Sequence, residues 1–403
     1  MNRRLAILIT NIWLESRGGS EIVTRDLALG LSRRGHRPIV YSPTLGLVAT
    51  DIMARGIPVI DDLRLIGETP DIVHGHHSIP SGEALIRFPH IPAVYTCHAF
   101  DFWMEAPVHF PQIAVYAAPD EACRDRLVHR EGIDPAQVVM LPNAVDLSRI
   151  PSRPAELPIR PLRAAAFHKA ATVAEIAQAC AAASIAYEPL GQPGVSSLPD
   201  PENELVQYDL VFATARAALE AMCCGCAVVV CDRRGLAGLV TTKNFDEMRI
   251  RNFGLRTLSA PITAERLIEE ISRYDATDAR AVSQLARNAA DLEQHLDRVE
   301  SLYSEVLDGP RQPVITPLGQ ERAVARFLHE NLPRTTGDTR WPWLGVLKNL
   351  DVRREALETQ LAKAAVERAE VEGHLQRLAE QLALLNRSRA LRCARWLRRL
   401  TGT

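Results

Sequence analysis

Short, wholly apolar runs alternate with amphipathic helical stretches along most of this chain, and that alternation limits the fold more than any other feature. RLAILIT (residues 4–10) reads as a buried strand. SEIVTRDLALGLSRRG (20–35) follows with apolar residues at helical spacing and Gly35 as its stop, and HRPIVYSP (36–43) is the next strand. Further strands are predicted at DIVHGHH (71–77), AVYTCH (93–98), IAVYAAP (113–119) and VVMLPNAV (138–145), with a helix over DEACRDRLVHREG (120–132). Strands joined by helices pair in parallel, so the pattern predicts an α/β, doubly wound (Rossmann-like) sheet whose ligands sit at the carboxyl ends of the strands.

The alternation stops at PSRPAELPIRPL (151–162), where four prolines exclude a helix or a central strand and indicate a semi-rigid link. It resumes with strands at RAAAFH, IAYEPLG, YDLVFAT and CAVVVCD, and with helices at TVAEIAQACAAAS and ARAALEAMCCG. Helices from Ala264 to Leu307 are expected to close this second half. The organisation read from the sequence is therefore a first domain over 1–150, a linker over 151–162, a second domain over 163–308, a connector over 309–349 and a tail over 350–403.

In the tail, positions 350, 357, 361, 364, 371, 375, 378, 382 and 385 are all Leu, Val or Ala, a heptad seam broken only by Arg354 and Arg368. Such a seam predicts a coiled coil and a homo-oligomer formed through it. Beyond it, Arg387, Arg389, Arg392, Arg395, Arg398 and Arg399 alternate with Leu391, Trp396, Leu397 and Leu400, with no acid among them. A helix of this kind suits an anionic membrane surface or a partner, and a frayed, solvated basic end is the other reading.

At 403 residues, with 24% charged and 47% hydrophobic residues and a net charge of −2, the chain has the composition of a globular protein and no overall pull toward nucleic acid. The first apolar run lacks a cleavage pattern and is read as a strand, and no run reaches the roughly 18 residues of a membrane span, so a cytoplasmic protein is expected. Eight cysteines in a chain this long do not make a disulfide scaffold. Cys223, Cys224 and Cys226 read as small buried apolar residues, because a helix end cannot aim three thiolates at one ion.

Gly18 and Gly19 follow the first strand and open a helix, where a backbone without Cβ lets a ligand approach, although a plain turn also explains them. His74, His76, His77 and His98 stand at or beyond strand ends, able to hydrogen-bond a sugar hydroxyl or a diphosphate. A metal site is disfavoured there, since adjacent His76 and His77 would face opposite ways. In LPNAVDLSRI (141–150), Asn143 suits a turn and Asp146 a cap.

The ordered series GGSE, GLSRRGH, PDIVHGHH, YTCHAFD, LPNAVDLSRI and LEAMCCGCAVVVCDRRGLAGLV resembles the family-4 retaining glycosyltransferases of GT-B architecture, over residues 4–308. The resemblance implies two doubly wound domains facing one another across a cleft. It also implies a nucleotide-sugar donor as substrate, a glycan or lipid-linked acceptor, and neither cofactor nor metal. By position it puts Gly18 and Gly19 against the donor diphosphate, His98 on the transferred sugar and Glu220 on the nucleotide ribose. That family carries another Glu eight residues before this one, and here the position is Phe212. It also neutralises the leaving diphosphate with an Arg and a Lys after the first strand of the second domain, where this chain offers Lys169 and His168. Arg216 is expected to supply the missing cation. The residues alone leave Glu220 between two roles, a ribose ligand or the ion-pair partner of Arg216 four positions earlier. Function is likewise open between an active glycosyltransferase and a catalytically silent relative that binds nucleotide-sugar or a partner protein. A nucleotide-sugar epimerase would need more acids in the cleft than the sequence supplies.

Overall fold

A computed structural model describes residues 3–151, 153, 155–191, 201–332, 368, 371–384 and 389–402. The first lobe contains β1 (Ala6–Thr10), α1 (Gly19–Arg33), β2 (Arg37–Tyr41), α2 (Leu47–Ala54), β3 (Val59–Ile60), β4 (Ile72–His76), α3 (Ser78–Arg87), β5 (Ala93–Thr96), β6 (Ile113–Ala118), α4 (Glu121–Asp125) and β7 (Val138–Met140). Its strands form one parallel sheet in the order β3-β2-β1-β4-β5-β6-β7. The second lobe contains β8 (Arg163–Phe167), α5 (Ala174–Ala182), β9 (Ala186–Leu190), α6 (Pro201–Leu205), β10 (Leu210–Ala213), α7 (Ala215–Cys223), β11 (Ala227–Asp232), β12 (Gly235–Leu239), α8 (Phe245–Ile250), α9 (Ala264–Ser272) and α10 (Ala276–Ala289). Here the order is β12-β11-β10-β8-β9, parallel except for the β11–β12 hairpin.

The continuous apolar runs have the cause expected of them: each sheet is covered on both faces. In β1, Ile7 and Ile9 pack under α1 on one face, whereas Leu8 packs with Leu85 of α3 on the other. In β10, Val211 and Ala213 face α7, whereas Leu210 and Phe212 face α5 and α9.

Helix α11 (Leu292–Leu307) corrects one expectation. Its apolar face, Leu296, Val299, Leu302, Tyr303 and Val306, is buried in the core of the first lobe and does not close the second. Gly30 of α1 makes the close approach possible, since a Cβ there would meet Leu296 Cδ1 at 2.5 Å. Within the stretch read as a connector, α12 (Pro317–Asn331) inserts Ala323 and Phe327 into the other face of the same lobe, the Phe327 ring lying against Gly82 of α3.

The chain thus crosses between lobes twice, and the two crossings are bonded to each other. Val145 N–H donates to the Ala290 carbonyl at 2.7 Å, and Leu292 N–H donates to the Val145 carbonyl at 3.2 Å. Arg249 of α8 clamps both passages, its Nη2 donating to the carbonyls of Asn143 (2.6 Å) and Ala289 (3.2 Å).

Residues 330–403 form a separate unit. Within it, α13 (residues 371–384) exposes Val371, Leu375, Leu378 and Leu382 of the heptad seam, and α14 (Arg389–Thr401) carries the arginine-rich segment. The seam from 350 to 364, and its last position, Leu385, lie outside the described residues. No helix among the described residues is long and apolar enough to cross a membrane.

Candidate functional site

In an open α/β sheet, ligands bind where the strand order reverses direction. The first sheet reverses between β1 and β4, and the second between β8 and β10. These two points open onto one cavity of about 520 Å³. Its lining includes Arg17, Gly18 and Gly19 after β1, Lys169 after β8, Thr214, Ala215, Arg216 and Glu220 after β10, and Asp232, Arg233 and Arg234 after β11. The helices α1 and α7 begin at it, Gly18 and Thr214 being their N-caps. Their dipoles favour an anion there; the first N–H of α7, that of Ala215, already donates to the Phe253 carbonyl at 2.9 Å, and the Glu21 carboxylate accepts its own backbone N–H at the start of α1.

The predicted residues Gly18, Gly19, Lys169, Arg216 and Glu220 therefore meet in one place. At Gly19 a Cβ would meet nothing within 4 Å, so the backbone faces open space. At Gly18 it would overlap the carboxylate of Glu21, which folds back over this turn. Lys169 is exposed in the short helical turn that follows β8. The side chain of His168, the other group considered there, lies outside the described residues.

Arg216 is not an idle cation. Its Nη2 donates to Asp26 Oδ2 of α1 at 2.5 Å and its Nε to Glu220 Oε1 at 2.8 Å, tying the first lobe to the second. Burial alone would lower the Arg216 pKa, but Asp26 and Glu220 outweigh it and raise the value above normal. Asp26 is in turn held by the buried Arg25, whose Nη2 lies 2.7 Å from Oδ1. The ion pair between Arg216 and Glu220 is thus present, and it occupies one carboxylate oxygen of Glu220.

His98 is not among the residues that line the cavity, although the charge of Arg216, which does line it, acts on the imidazole. Its Nε2 is 2.5 Å from His76 Nδ1, and the two rings stack at 4.8 Å. His74 stacks on the far side of His76 and is bonded to Tyr303 and Thr96. Burial pushes the His98 pKa down to about 4, with Glu105 opposing and His77 and Arg216 assisting. At neutral pH His98 is therefore an uncharged hydrogen-bonding group. His77 caps α3 with φ +64 and reaches Glu105 at 3.1 Å, and Glu105 also accepts from the His98 backbone N–H at 3.0 Å. Burial works to raise the Glu105 carboxyl, but the neighbouring imidazoles bring it down to about 2.

Position 212 lies inside β10, paired with Ala166 and Val229, and its ring is buried on the sheet face opposite α7. Phe212 is there because the core needs it. Strand and helix are separated by Thr214 alone, so no loop exists at this point to carry a carboxylate to the cavity.

Sequence reasoning missed Arg17, Asp232, Arg233 and Arg234. For the last three the signal was the string CDRRG at a strand's carboxyl end, read only as part of the helix-to-strand motif; Arg17 precedes the glycine pair in SRGGSE. Seven of the eight cysteines are buried thiols, and among the described residues no cluster of His, Cys, Asp or Glu is placed to hold a metal.

Two lobes with facing switch points around a shared cavity are the GT-B architecture. Residues 17–149 match the family model described as Glycosyltransferase Family 4, so the chain is family-4-like through its first lobe. No curated protein sequence matches significantly. Among solved structures, the chain is similar to a glycosyltransferase from Rickettsia africae ESF-5 at 14% identity and TM-score 0.52, covering 76% of this chain and 100% of that one. It is also similar to the S. aureus MnaA–UDP co-structure at 13% identity and TM-score 0.50, with 77% and 99% covered. At such identities the likeness concerns the fold.

Proposed function

We propose that this family-4-like glycosyltransferase moves a sugar from a nucleoside-diphosphate donor to a glycan or lipid-linked acceptor, with retention of anomeric configuration. The charge of the cavity carries the reading. Of the cationic side chains that line it, Arg216 is ion-paired with Glu220 and Asp26 and Arg234 with Asp232, so the charge offered to a ligand comes from Lys169 and Arg233. The excess positive charge, together with two helix N-termini, suits a diphosphate. UDP in the S. aureus relative is consistent with this ligand class.

In this reading the diphosphate lies against Lys169 and the N-termini of α1 and α7, over Gly18 and Gly19. Arg216 fixes Glu220 through Oε1, and Oε2 accepts from a ribose hydroxyl. Neutral His98, oriented by His76 and by its backbone bond to Glu105, hydrogen-bonds the sugar. As the bond from the anomeric carbon to the phosphate oxygen breaks, negative charge grows on the diphosphate, where the cations meet it. The acceptor oxygen then bonds to the same face of that carbon, and its proton passes to the departing phosphate oxygen. Both lining carboxylates being paired, this mode of proton transfer needs no protein base. It also disfavours an epimerase, which would need unpaired acids. The silent relative stays the second reading, because Phe212 is a core residue and the strand-to-helix junction beside it brings no carboxylate to the cavity.

We read the tail as the means of self-association and of contact with an anionic membrane surface. The seam leucines exposed on α13 and the amphipathic, arginine-rich α14, with Trp396 and Leu400 exposed, support this.

The test is release of nucleoside diphosphate from a panel of UDP-, GDP- and ADP-sugars. Turnover with one of them, lost in Lys169→Ala and Glu220→Ala, is the expected result. Absence of both turnover and thermal stabilisation across the panel refutes the proposal.

A further inference from the structure

The task first assigned to Arg216, neutralising the diphosphate, needs another residue, because Asp26 and Glu220 consume the guanidinium. Arg234 is excluded on the same ground. It forks onto Asp232, with Nε 3.1 Å from both oxygens and Nη2 2.6 Å from Oδ2.

Arg233 differs from both. It is the other residue of the two-residue turn between β11 and β12, at the carboxyl end of the strand, and its side chain is exposed on the cavity. The turn is fixed by Asp232, whose Oδ1 accepts the Arg234 N–H at 2.8 Å, and by the pairing of Asp232 with Gly235. Gly235 itself has φ +157, and a Cβ there would meet the Ala260 carbonyl at 2.9 Å. A rigid turn that spends one arginine on its own aspartate presents the other at a defined position. Among the described residues no carboxylate pairs with Arg233 or with Lys169. In the sheet order β11-β10-β8, Arg233 and Lys169 flank the start of α7 from its two sides.

We propose that Arg233 is the second diphosphate-binding cation, opposite Lys169, and that Arg216 is a positioning residue acting through Glu220. The inference rests on the nucleotide reading of the cavity.

The experiment is calorimetric titration of the full chain with UDP, GDP and ADP, and with the monophosphate and nucleoside of whichever base binds. Arg233→Gln should weaken the diphosphate about tenfold or more, the monophosphate less and the nucleoside not at all, and Arg233→Lys should recover most of the loss. Glu220→Gln should weaken all three species alike, because it acts on the ribose. Equal diphosphate affinity in Arg233→Gln and the unmodified chain overturns the proposal, as does a loss that extends equally to the nucleoside. Thermal denaturation of Arg233→Gln should match the unmodified chain, its side chain being exposed. If no nucleoside diphosphate binds the unmodified chain, the nucleotide reading falls and this inference with it. If binding is present and insensitive to position 233, only the inference falls.

Discussion

Replacing Arg216 with methionine removes the cation shared by Asp26 and Glu220 and keeps much of its volume. The side chains of Arg25 and Asp26 are 1% and 2% exposed, that of Arg216 is 10% exposed and that of Glu220 is 17% exposed, so the network sits largely out of water. Breaking a buried pair by removing one partner costs about 3–5 kcal/mol when the remaining charge is stranded. Here Asp26 keeps Arg25, and Glu220 reaches the cavity and can be hydrated. The lower bound, about 3 kcal/mol, therefore applies, or roughly 150-fold in the unfolding equilibrium. Asp26→Asn takes the carboxylate from Arg25 and Arg216, which keep Asp51 and Glu220, and by the same reasoning should cost about 3 kcal/mol. Since both changes remove the same contact, the double variant should be about 2–3 kcal/mol less destabilised than the sum. Urea unfolding followed by far-ultraviolet circular dichroism measures all four proteins, with unchanged slopes required for the comparison. Additivity to within about 0.5 kcal/mol would falsify the claim that this pair couples the lobes.

Three other outcomes are expected. Burial holds His74 near pKa 3 and His98 and His295 near 4, whereas the unfolded chain titrates near 6.5; between about 6.5 and 4 the unfolded state binds more protons, so stability falls as pH is lowered. Each histidine contributes up to about 1.4 kcal/mol per pH unit, and a denaturation midpoint unchanged from pH 7 to 5 contradicts their neutral burial. Glu105, lowered to about 2, adds stability that is complete above its unfolded value near 4.5 and is lost as pH falls toward 2, a second and more acidic limb in the same titration. Gly82→Ala would drive a Cβ into the Phe327 ring, costing about 1–3 kcal/mol, and amide exchange should accelerate in α12 before it does elsewhere; unaltered protection there argues against the docking described.

The strands of both sheets were legible because a strand covered on both faces must be apolar throughout, and the parallel core strands here have that composition. The β12 hairpin strand, GLAGL, was not read, because its two glycines and its place at a sheet edge remove the β-branched signal. The periodicity of residues 292–307 announced a helix with one apolar face. It could not announce which sheet that face covers, since Leu296 meets Gly30 across 266 positions of sequence. The same holds in the cavity. The pairing of Arg216 with Glu220 follows from helical geometry and was readable, whereas Asp26, 190 residues away, was not. The absence of a carboxylate at Phe212 was readable, but its cause was not. Counting eight residues back from Glu220 measures distance along the chain, and the chain there is a strand interior facing the other side of the sheet.

Because Val145, Ala290 and Leu292 are laced together and gripped from behind by Arg249, the lobes cannot slide past one another without first tearing backbone bonds. Side-chain ion pairs add to that double tether on either side, Arg216 with Asp26 at 2.5 Å and Arg256 with Asp125 at 2.7 Å. The facing edges are thus held in register at more than one place, and any widening of the gap has to part these charges.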